Sequence, residues 1–225
     1  LEIYQKAARQ LVSLGHAYEE EGAIRLKVPQ NETITFHDFI LNKDISWESN
    51  QIPPAVLLKS DGFPTYHLAS IVDDHASQIT HVIRSSEWIP STPIHVLIYR
   101  YLDYDPPQIG HPTAILDPTG GKLSKRKGNV SVEEFINQGY LPEAILNFVI
   151  LLGWAPKDNR ELFTLPEFVT AFDTKGFQKS NPLFNQKKLL FYILRIRKHI
   201  YTFQLTILGM QRSHLRRFLT FHLAT

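Results

Sequence analysis

The sequence predicts an α/β fold with a small β-rich segment near its front. Short segments with the alternating pattern of strands take turns with segments of helical spacing, and two strand-like segments near the front follow each other directly. Strands that alternate with helices are typical of an α/β layer. With 225 residues, 43% hydrophobic and 20% charged, the chain is long enough for one or two domains with hydrophobic cores.

The first predicted element is a helix within residues 2–18, which Gly15 is expected to end. The apolar residues on one face of this helix are Ile3, Ala7, Leu11 and Leu14. Residues 23–29 (AIRLKVP) and 33–40 (TITFHDFI) then alternate as strands do, and they form the β-rich segment.

The next segment predicts a strand, a turn and a helix. Residues 55–68 (AVLLKSDGFPTYHL) read as a strand followed by a tight Ser-Asp-Gly turn. The helix continues through residues 69–76 (ASIVDDHA). Its inward-facing residues are predicted to be Leu68, Ile71 and Val72.

Two short strands are predicted on either side of another helix. Residues 80–84 (THVIR) read as a short buried strand of the kind that ends at the edge of an active site. A helix is expected over residues 92–102, with Thr92 as its N-cap and Pro93 at its first position. Residues 112–117 (PTAILD) are predicted to form the second strand.

Two more helices are predicted after residue 130. Ser131 is expected to cap the first of them, and Glu134, three residues later, would complete a capping box. Residues 141–154 (LPEAILNFVILLGW) predict a second helix with a largely buried apolar face.

Composition excludes several kinds of site. The chain has no cysteine, which excludes disulfides and thiolate metal sites, and no run approaches the roughly 18 apolar residues of a membrane span. The first residues lack an initiator Met and resemble a helix from within a protein more than a signal peptide. We therefore expect the chain to be a fragment.

The charges are unevenly distributed. All 22 acidic residues lie at or before Asp173, whereas residues 174–225 contain ten of the 24 Lys and Arg residues. The net charge of +2 therefore combines an acidic first part with a strongly basic tail. Such a tail is consistent with nucleic-acid binding, and equally with an end that is out of frame or truncated.

Residues 120–131 (GGKLSKRKGNVS) concentrate positive charge in a glycine-rich loop. The cations are Lys122, Lys125, Arg126 and Lys127. Glycine allows close backbone approach to a ligand, and Ser124 can donate to a phosphate oxygen. The loop is not a Walker A motif, because Leu116 and Leu123 stand where that motif needs Gly and Ser or Thr. A phosphate-binding loop and a solvated surface loop are the two interpretations.

Residues 122–126 (KLSKR) resemble the second signature of class I aminoacyl-tRNA synthetases in its glutamyl form. Residues 57–75 (LLKSDGFPTYHLASIVDDH), 80–99 (THVIRSSEWIPSTPIHVLIY) and 139–154 (GYLPEAILNFVILLGW) follow the order and spacing of the glutamyl-tRNA synthetase family. The resemblance covers about residues 1–190 and favours the interpretation that the loop binds the phosphates of ATP.

The resemblance implies the second half of a Rossmann-type class I catalytic domain. Residues 1–60 would contain the end of a first-half helix and a shortened, β-rich acceptor-binding insertion. Residues 61–130 would form the second half of the catalytic domain, and residues 131–190 the start of a helical stem-contact domain. Residues 191–225 would be an atypical basic tail, possibly out of frame.

The activity implied by the resemblance is that of a ligase. It joins glutamate to AMP at the expense of ATP and passes the glutamyl group to the 3′ end of tRNA. The resemblance implies catalytic roles for Lys122, Ser124 and Lys125. It places ATP at Lys125, Arg126, Glu87, Trp88 and the backbone of Ala114 and Ile115.

Glutamate itself is expected to bind Tyr66, Ser70 and Arg84. An Arg side chain can hold a carboxylate in two-point geometry, which Lys cannot do. The alternative for Arg84 is an ion pair with Glu87. Ser70 stands where many members of the family have Asn. No protein metal ligand is expected at residues 73–75 (DDH) or elsewhere, since the Mg²⁺ implied by ATP would be held by phosphates and water.

The partners implied are tRNA(Glu), L-glutamate and ATP, with no membrane and a monomeric state. The expected compartment is the cytoplasm, with a mitochondrion or plastid as the alternative. Two functional alternatives stay open: a glutaminyl-tRNA synthetase-like enzyme of the same class, and a tRNA-binding remnant without catalysis. The "HIGH" signature of the family is not among the 225 residues, so the isolated chain is expected to lack activity.

Overall fold

The computed structural model of the protein describes residues 1–123 and 131–207 and divides the chain into two compact units, Leu1–Thr113 and Ala114–Thr225. The elements of the first unit are α1 (Glu2–Ser13), β1 (Ala17–Glu20), β2 (Ala23–Leu26), β3 (Thr33–Asp38), β4 (Lys43–Glu48), β5 (Val56–Leu58), α2 (Tyr66–Ala76), β6 (His81–Ile83), α3 (Thr92–Tyr101) and β7 (Gln108–Gly110). Two 3₁₀ helices, Ser49–Gln51 and Ser86–Ser91, complete this unit.

The first unit contains two sheets. Strands β1, β2 and β5 form an antiparallel sheet, and the second sheet has the order β4-β3-β7-β6. In the second sheet β3 pairs antiparallel with β4, while β7 runs parallel to both β3 and β6. Parallel pairing with intervening helices is the mark of an α/β layer, so the predicted class is confirmed at this level.

One continuous core holds the first unit together. Leu11 of α1, Leu26 of β2, Leu57 of β5, Leu68 of α2 and Leu97 of α3 have no exposed surface and belong to the same apolar cluster. Burying such side chains is the main stabilising contribution to folding, at about 1.5–3 kcal/mol each.

The junction between α1 and the β-rich segment is a hairpin. Strands β1 and β2 pair from Ala17 to Leu26, and the turn between them consists of Glu21 and Gly22. Both turn residues have left-handed backbone angles, with φ of 51° and 77°. This is the geometry that a two-residue hairpin turn requires.

The second unit is helical in its described part. Its helices are α4 (Val132–Asn137), α5 (Pro142–Gly153), α6 (Leu165–Ala171) and α7 (Gln186–Ile207). Phe135, Phe148, Leu189 and Tyr192 join α4, α5 and α7 in a separate apolar core. The buried Asn147 of α5 connects this helix to the segment before α6, because its side-chain amide donates to the carbonyl of Phe163 and accepts from its N–H, both at 2.7 Å.

Several predicted elements are present as expected. Strands β2, β3 and β5 and helix α5 lie within the predicted ranges, α2 ends at Ala76 as predicted, and α4 begins directly after Ser131. The predicted inward residues of α2 are buried, namely Leu68, Ile71 and Val72. Gly15, which was expected to end α1, follows the helix with a φ of 76°.

Other predictions for the first unit were wrong. On α1 the predicted inward residues Ala7 and Leu11 are buried together with Ala8, but Ile3 and Leu14 are 54% and 53% exposed. Strand β6 is an edge strand with Ile83 half exposed, so residues 80–84 are not a buried strand.

The predicted caps also need correction. Ser91, not Thr92, is the N-cap residue of α3, and the Thr92 hydroxyl donates to the carbonyl of Trp88 instead. Ser131 caps α4 as predicted, but the carboxylate of Glu134 accepts from Gln138, so the reciprocal half of the capping box is not the contact seen.

Residues 112–117 do not form the predicted strand. Leu116 makes isolated bridges to Lys122 and Leu183, and the segment is otherwise irregular.

Candidate functional site

The guanidinium of Arg84 is a partly buried positive charge at the end of β6. Its Nη1 lies 2.8 Å from Nδ1 of His95 on α3, while its Nε is buried without a hydrogen-bond partner. Among the described residues no carboxylate forms an ion pair with Arg84, so the alternative of a pair with Glu87 is not realised. A guanidinium in such a place favours an anionic ligand.

Two aromatic rings lie beside this guanidinium. Tyr66 begins α2 and Trp88 lies on the 3₁₀ helix Ser86–Ser91, and the centres of their rings are 4.6 Å apart. The guanidinium carbon of Arg84 is 5.7 Å from the centre of the Trp88 ring, a cation–π contact. Tyr66 is half exposed, so solvent can reach the guanidinium and the two rings from the side of Tyr66. The structure thus brings together three residues, Tyr66, Arg84 and Trp88, for which the sequence analysis predicts binding of glutamate or ATP.

Ser70 follows Tyr66 by one turn of α2, which places both on the same face of the helix. Its hydroxyl oxygen is buried and has no hydrogen-bond partner. Ser70 Oγ and Arg84 Nε are therefore two unsatisfied polar atoms from residues predicted to bind one ligand. Buried polar groups are nearly always hydrogen-bonded, so both atoms have hydrogen-bonding capacity that the polar groups of a ligand can meet.

Two histidines, His95 and His67, continue the hydrogen-bonded network that begins at the guanidinium of Arg84. Nε2 of His95 lies 2.9 Å from Nδ1 of His67, and His95 has no exposed surface. Burial, with help from the charge of Arg84, lowers the pKa of His95 to about 2, and the same two causes lower the pKa of His67. Both rings are therefore neutral at physiological pH.

His95 was missed by the sequence predictions. It lies among the apolar residues of TPIHVLIY, and an imidazole on the buried face of a helix must find hydrogen-bond partners. That signal indicates a buried network, although it does not say which residues complete it.

A second buried network supports Trp88. Asp38, at the end of β3, accepts hydrogen bonds from the backbone N–H groups of Ile40 and Leu41, and its Oδ2 lies 2.8 Å from Nδ1 of His111. Nε2 of His111 is 3.4 Å from the Thr92 hydroxyl, which donates to the carbonyl of Trp88.

The Asp38–His111–Thr92 arrangement resembles a nucleophilic triad in composition, but none of its three residues has exposed surface. A nucleophile must reach its substrate, so this network acts as a support. Burial lowers the pKa of His111, while the hydrogen bond that its Nδ1–H donates to Asp38 raises it.

The second unit contains the start of the cationic loop. Asp117 Oδ1 accepts from the backbone N–H of Thr119 and of Gly121, which makes a compact turn, and Gly120 takes a φ of 91°. Leu123 N–H then donates to the carbonyl of Ile115 at 2.9 Å.

Of the predicted ATP residues in this unit, Ala114 and Ile115 are partly buried and Lys122 is exposed. Ser124, Lys125 and Arg126 lie outside the described residues.

Three further observations bear on ligands. Within residues 1–123 and 131–207, no group of three or more His, Cys, Asp or Glu side chains is placed to hold a metal ion. In the same part of the chain, no helix has the length and apolarity needed to cross a membrane. A cavity of about 660 Å³ between β3 and α3, lined by residues such as Phe36 and Tyr99, contains none of the predicted site residues.

The chain matches a known protein family over most of its length. The family model described as tRNA synthetases class I (E and Q), catalytic domain, matches residues 3–191.

Curated relatives are similar over most of this chain. A glutamate–tRNA ligase of Alkaliphilus metalliredigens is 43% identical over 185 residues, which cover 82% of this chain and 36% of that protein. A glutamate–tRNA ligase of Treponema denticola is 47% identical over 191 residues, which cover 83% of this chain and 38% of that protein. The chain therefore spans little more than a third of the length of these relatives.

Solved structures give the same picture. The glutamate tRNA ligase of Elizabethkingia meningosepticum, in complex with its amino acid, has a TM-score of 0.70 and 36% identity over 83% of this chain and 40% of that one. The glutamate-tRNA synthetase of Elizabethkingia anophelis has a TM-score of 0.72 and 33% identity over 92% of this chain and 46% of that one.

Proposed function

We propose, from the premise that this chain belongs to the class I tRNA synthetases (E and Q), that it carries the amino-acid pocket and the lysine loop of a glutamate–tRNA ligase. The reaction would be the ATP-dependent activation of glutamate and its transfer to the 3′ end of tRNA(Glu). The observation that carries the proposal is Arg84, a partly buried cation with an unsatisfied Nε and no ion pair among the described carboxylates.

In this proposal the side-chain carboxylate of glutamate binds Arg84. Two parallel N–H···O bonds from a guanidinium to a carboxylate fix both the position and the orientation of the substrate. Tyr66 would cover the aliphatic part of the amino acid, and the unsatisfied Ser70 hydroxyl would donate to one of its oxygens or to a bridging water. Trp88 and Glu87 would lie toward the nucleotide.

The phosphates of ATP are assigned to the lysine loop. Lys122 and Lys125 would neutralise the charge that develops on pyrophosphate as it leaves, with Lys125 as the main contributor, and Ser124 and Arg126 would assist. Ala114 and Ile115 would offer backbone atoms to adenine. Transfer at the α-phosphate needs positioning and charge stabilisation more than covalent participation by the protein.

Mg²⁺ would enter this site with ATP. Magnesium usually keeps several waters and binds substrate phosphates, so a cage of protein carboxylates is not required. We further propose the cytoplasm as the compartment, since the relatives compared are bacterial ligases, and a monomer as the state.

Glutamate-dependent ATP–pyrophosphate exchange tests the proposal. The chain would be joined to the part of the Treponema denticola ligase that precedes the matched region, with the isolated chain as the control. We expect exchange with glutamate and none with glutamine, and no exchange by the isolated chain. Exchange with glutamine would favour the glutaminyl alternative, and an inactive but folded fusion would favour a remnant without catalysis.

A further inference from the structure

The hydrogen bond between Arg84 and His95 determines where the imidazole proton lies. A guanidinium has five N–H donors, no acceptor, and does not lose its proton in proteins. Its Nη1 lies 2.8 Å from Nδ1 of His95, so Nδ1 must be the accepting nitrogen and carries no proton. A neutral imidazole has one proton, which therefore lies on Nε2.

The same reasoning extends to His67. Nε2–H of His95 points at Nδ1 of His67, 2.9 Å away, so that nitrogen must also accept. A proton on His67 Nδ1 would leave His95 without any proton, which a neutral or cationic imidazole does not allow. The burial of both rings beside Arg84 agrees with two neutral histidines.

The two hydrogen bonds, from Arg84 to His95 and from His95 to His67, form a relay that leaves one edge of the guanidinium for a ligand. A planar guanidinium can hold a carboxylate through Nη1 and Nη2 or through Nε and Nη2. Nη1 is engaged by His95, whereas Nε is the nitrogen without a partner. The edge formed by Nε and Nη2 therefore has the unmet hydrogen-bonding capacity.

We propose that His95 is a positioning residue that holds Nη1 of Arg84 and so directs the Nε–Nη2 edge to the side-chain carboxylate of the amino acid. This inference rests on the proposed function and adds the basis of its selectivity. An edge that only donates matches a carboxylate, which has two accepting oxygens. It opposes a carboxamide such as that of glutamine, whose NH₂ would face an N–H donor. A neutral His95 is necessary, since a protonated Nδ1 would repel Arg84.

Two substitutions separate this role from simple packing. In His95→Asn the amide oxygen lies near the former Nδ1 and can still accept from Arg84. In His95→Gln the amide lies nearer the former Nε2 and keeps only the contact to His67. Both variants place a neutral amide in the same buried position, so each is the control for the other.

The test uses ¹⁵N-labelled 225-residue chain, observed by NMR, which detects millimolar binding. Long-range ¹H–¹⁵N spectra report the protonation of each His95 nitrogen without any ligand. Titration with L-glutamate and with L-glutamine then follows the Nε–H signal of Arg84, which Arg84→Lys identifies. We expect a bare Nδ1, a shift with glutamate in the wild type and His95→Asn, and an affinity about tenfold weaker in His95→Gln, the loss of one charge-assisted hydrogen bond.

The outcomes distinguish this inference from the proposed function. A protonated Nδ1 in the wild type overturns the inference even if neither variant folds. Equal glutamate affinities for folded His95→Asn and His95→Gln, with binding by the wild type, also overturn it and leave the proposed function standing. If the wild type gives no shift with glutamate, the assignment of the carboxylate to Arg84 fails and this inference fails with it, whereas exchange by the fusion remains the test of the proposed function.

Discussion

Replacing His95 by Leu should make the first unit less sensitive to acid. Leu fills a similar buried volume without a titratable group, whereas the wild-type ring must stay neutral among Arg84, His67 and His111. These three groups reach it from the end of β6, from α2 and from the segment after β7, and each disfavours its charged form. The folded state therefore resists protonation that the unfolded chain accepts freely.

The size of the effect follows from the two pKa values of His95. The unfolded value is about 6.5, and burial lowers the folded pKa to about 2. Stability that depends on a neutral ring is fully present above the unfolded pKa and declines as pH falls toward the folded one. Each pH unit in that window costs about 1.4 kcal/mol, so the wild type should lose about 2 kcal/mol more than His95→Leu between about pH 7 and about pH 5.

Urea unfolding at these two pH values, followed by NMR signals of α3, measures this difference for the first unit alone. The other titrating groups are common to both proteins and cancel in the comparison, as far as they act independently. A wild type and a variant that lose the same free energy would show that His95 is already protonated in the fold. That result would also contradict the donor direction assigned between Arg84 and His95.

Three further predictions concern other positions. Arg84→Lys keeps the charge but loses two-point binding, so calorimetry should show glutamate affinity at least about tenfold weaker; unchanged affinity would refute the carboxylate assignment. A Cβ at Gly110 would lie 2.5 Å from Phe39 Cε1, so Gly110→Ala should lower the free energy of unfolding by about 1–3 kcal/mol, while a Cβ at Gly153 meets nothing within 4 Å and makes Gly153→Ala the control. In the fusion used for exchange, Lys125→Ala should slow adenylate formation at least about tenfold with little change in glutamate affinity; an unchanged rate would remove Lys125 from the mechanism.

The predictions from sequence succeeded where local pattern determines structure. The buried face of α2 follows from its helical spacing, and β3 follows from its strict alternation. Strand β4 (Lys43–Glu48) was missed because most of its residues are polar and exposed, and it forms through pairing with β3 along six residues. Residues 112–117 have the composition of a strand but find only single-residue bridges at Leu116. Pairing partners are non-local, and sequence pattern does not specify them.

The same distinction applies to the candidate site. Tyr66, Ser70 and Arg84 were predicted through the resemblance of short motifs, and the three lie close in sequence. The partners of His95 lie 11 and 28 residues away, on two different elements. Only the fold brings these groups together, so the relay could not be predicted from the motif that contains His95.

The β-rich front of the chain contributes directly to the position of the pocket. The Arg84 backbone N–H donates to the carbonyl of Gly110, and Gly110 can lie there only because it has no side chain to meet the turn after β3. The carboxylate of Asp38 stabilises that turn by accepting two of its backbone N–H groups. It also accepts from His111, whose other ring nitrogen contacts the Thr92 hydroxyl, and this hydroxyl donates to the carbonyl of Trp88. One carboxylate is thus linked both to the segment that accepts the Arg84 backbone N–H and, through His111 and Thr92, to Trp88. A site that depends on the orientation of one guanidinium needs such rigid support, because a rotation of that group would misalign its two N–H donors with the oxygens of the ligand.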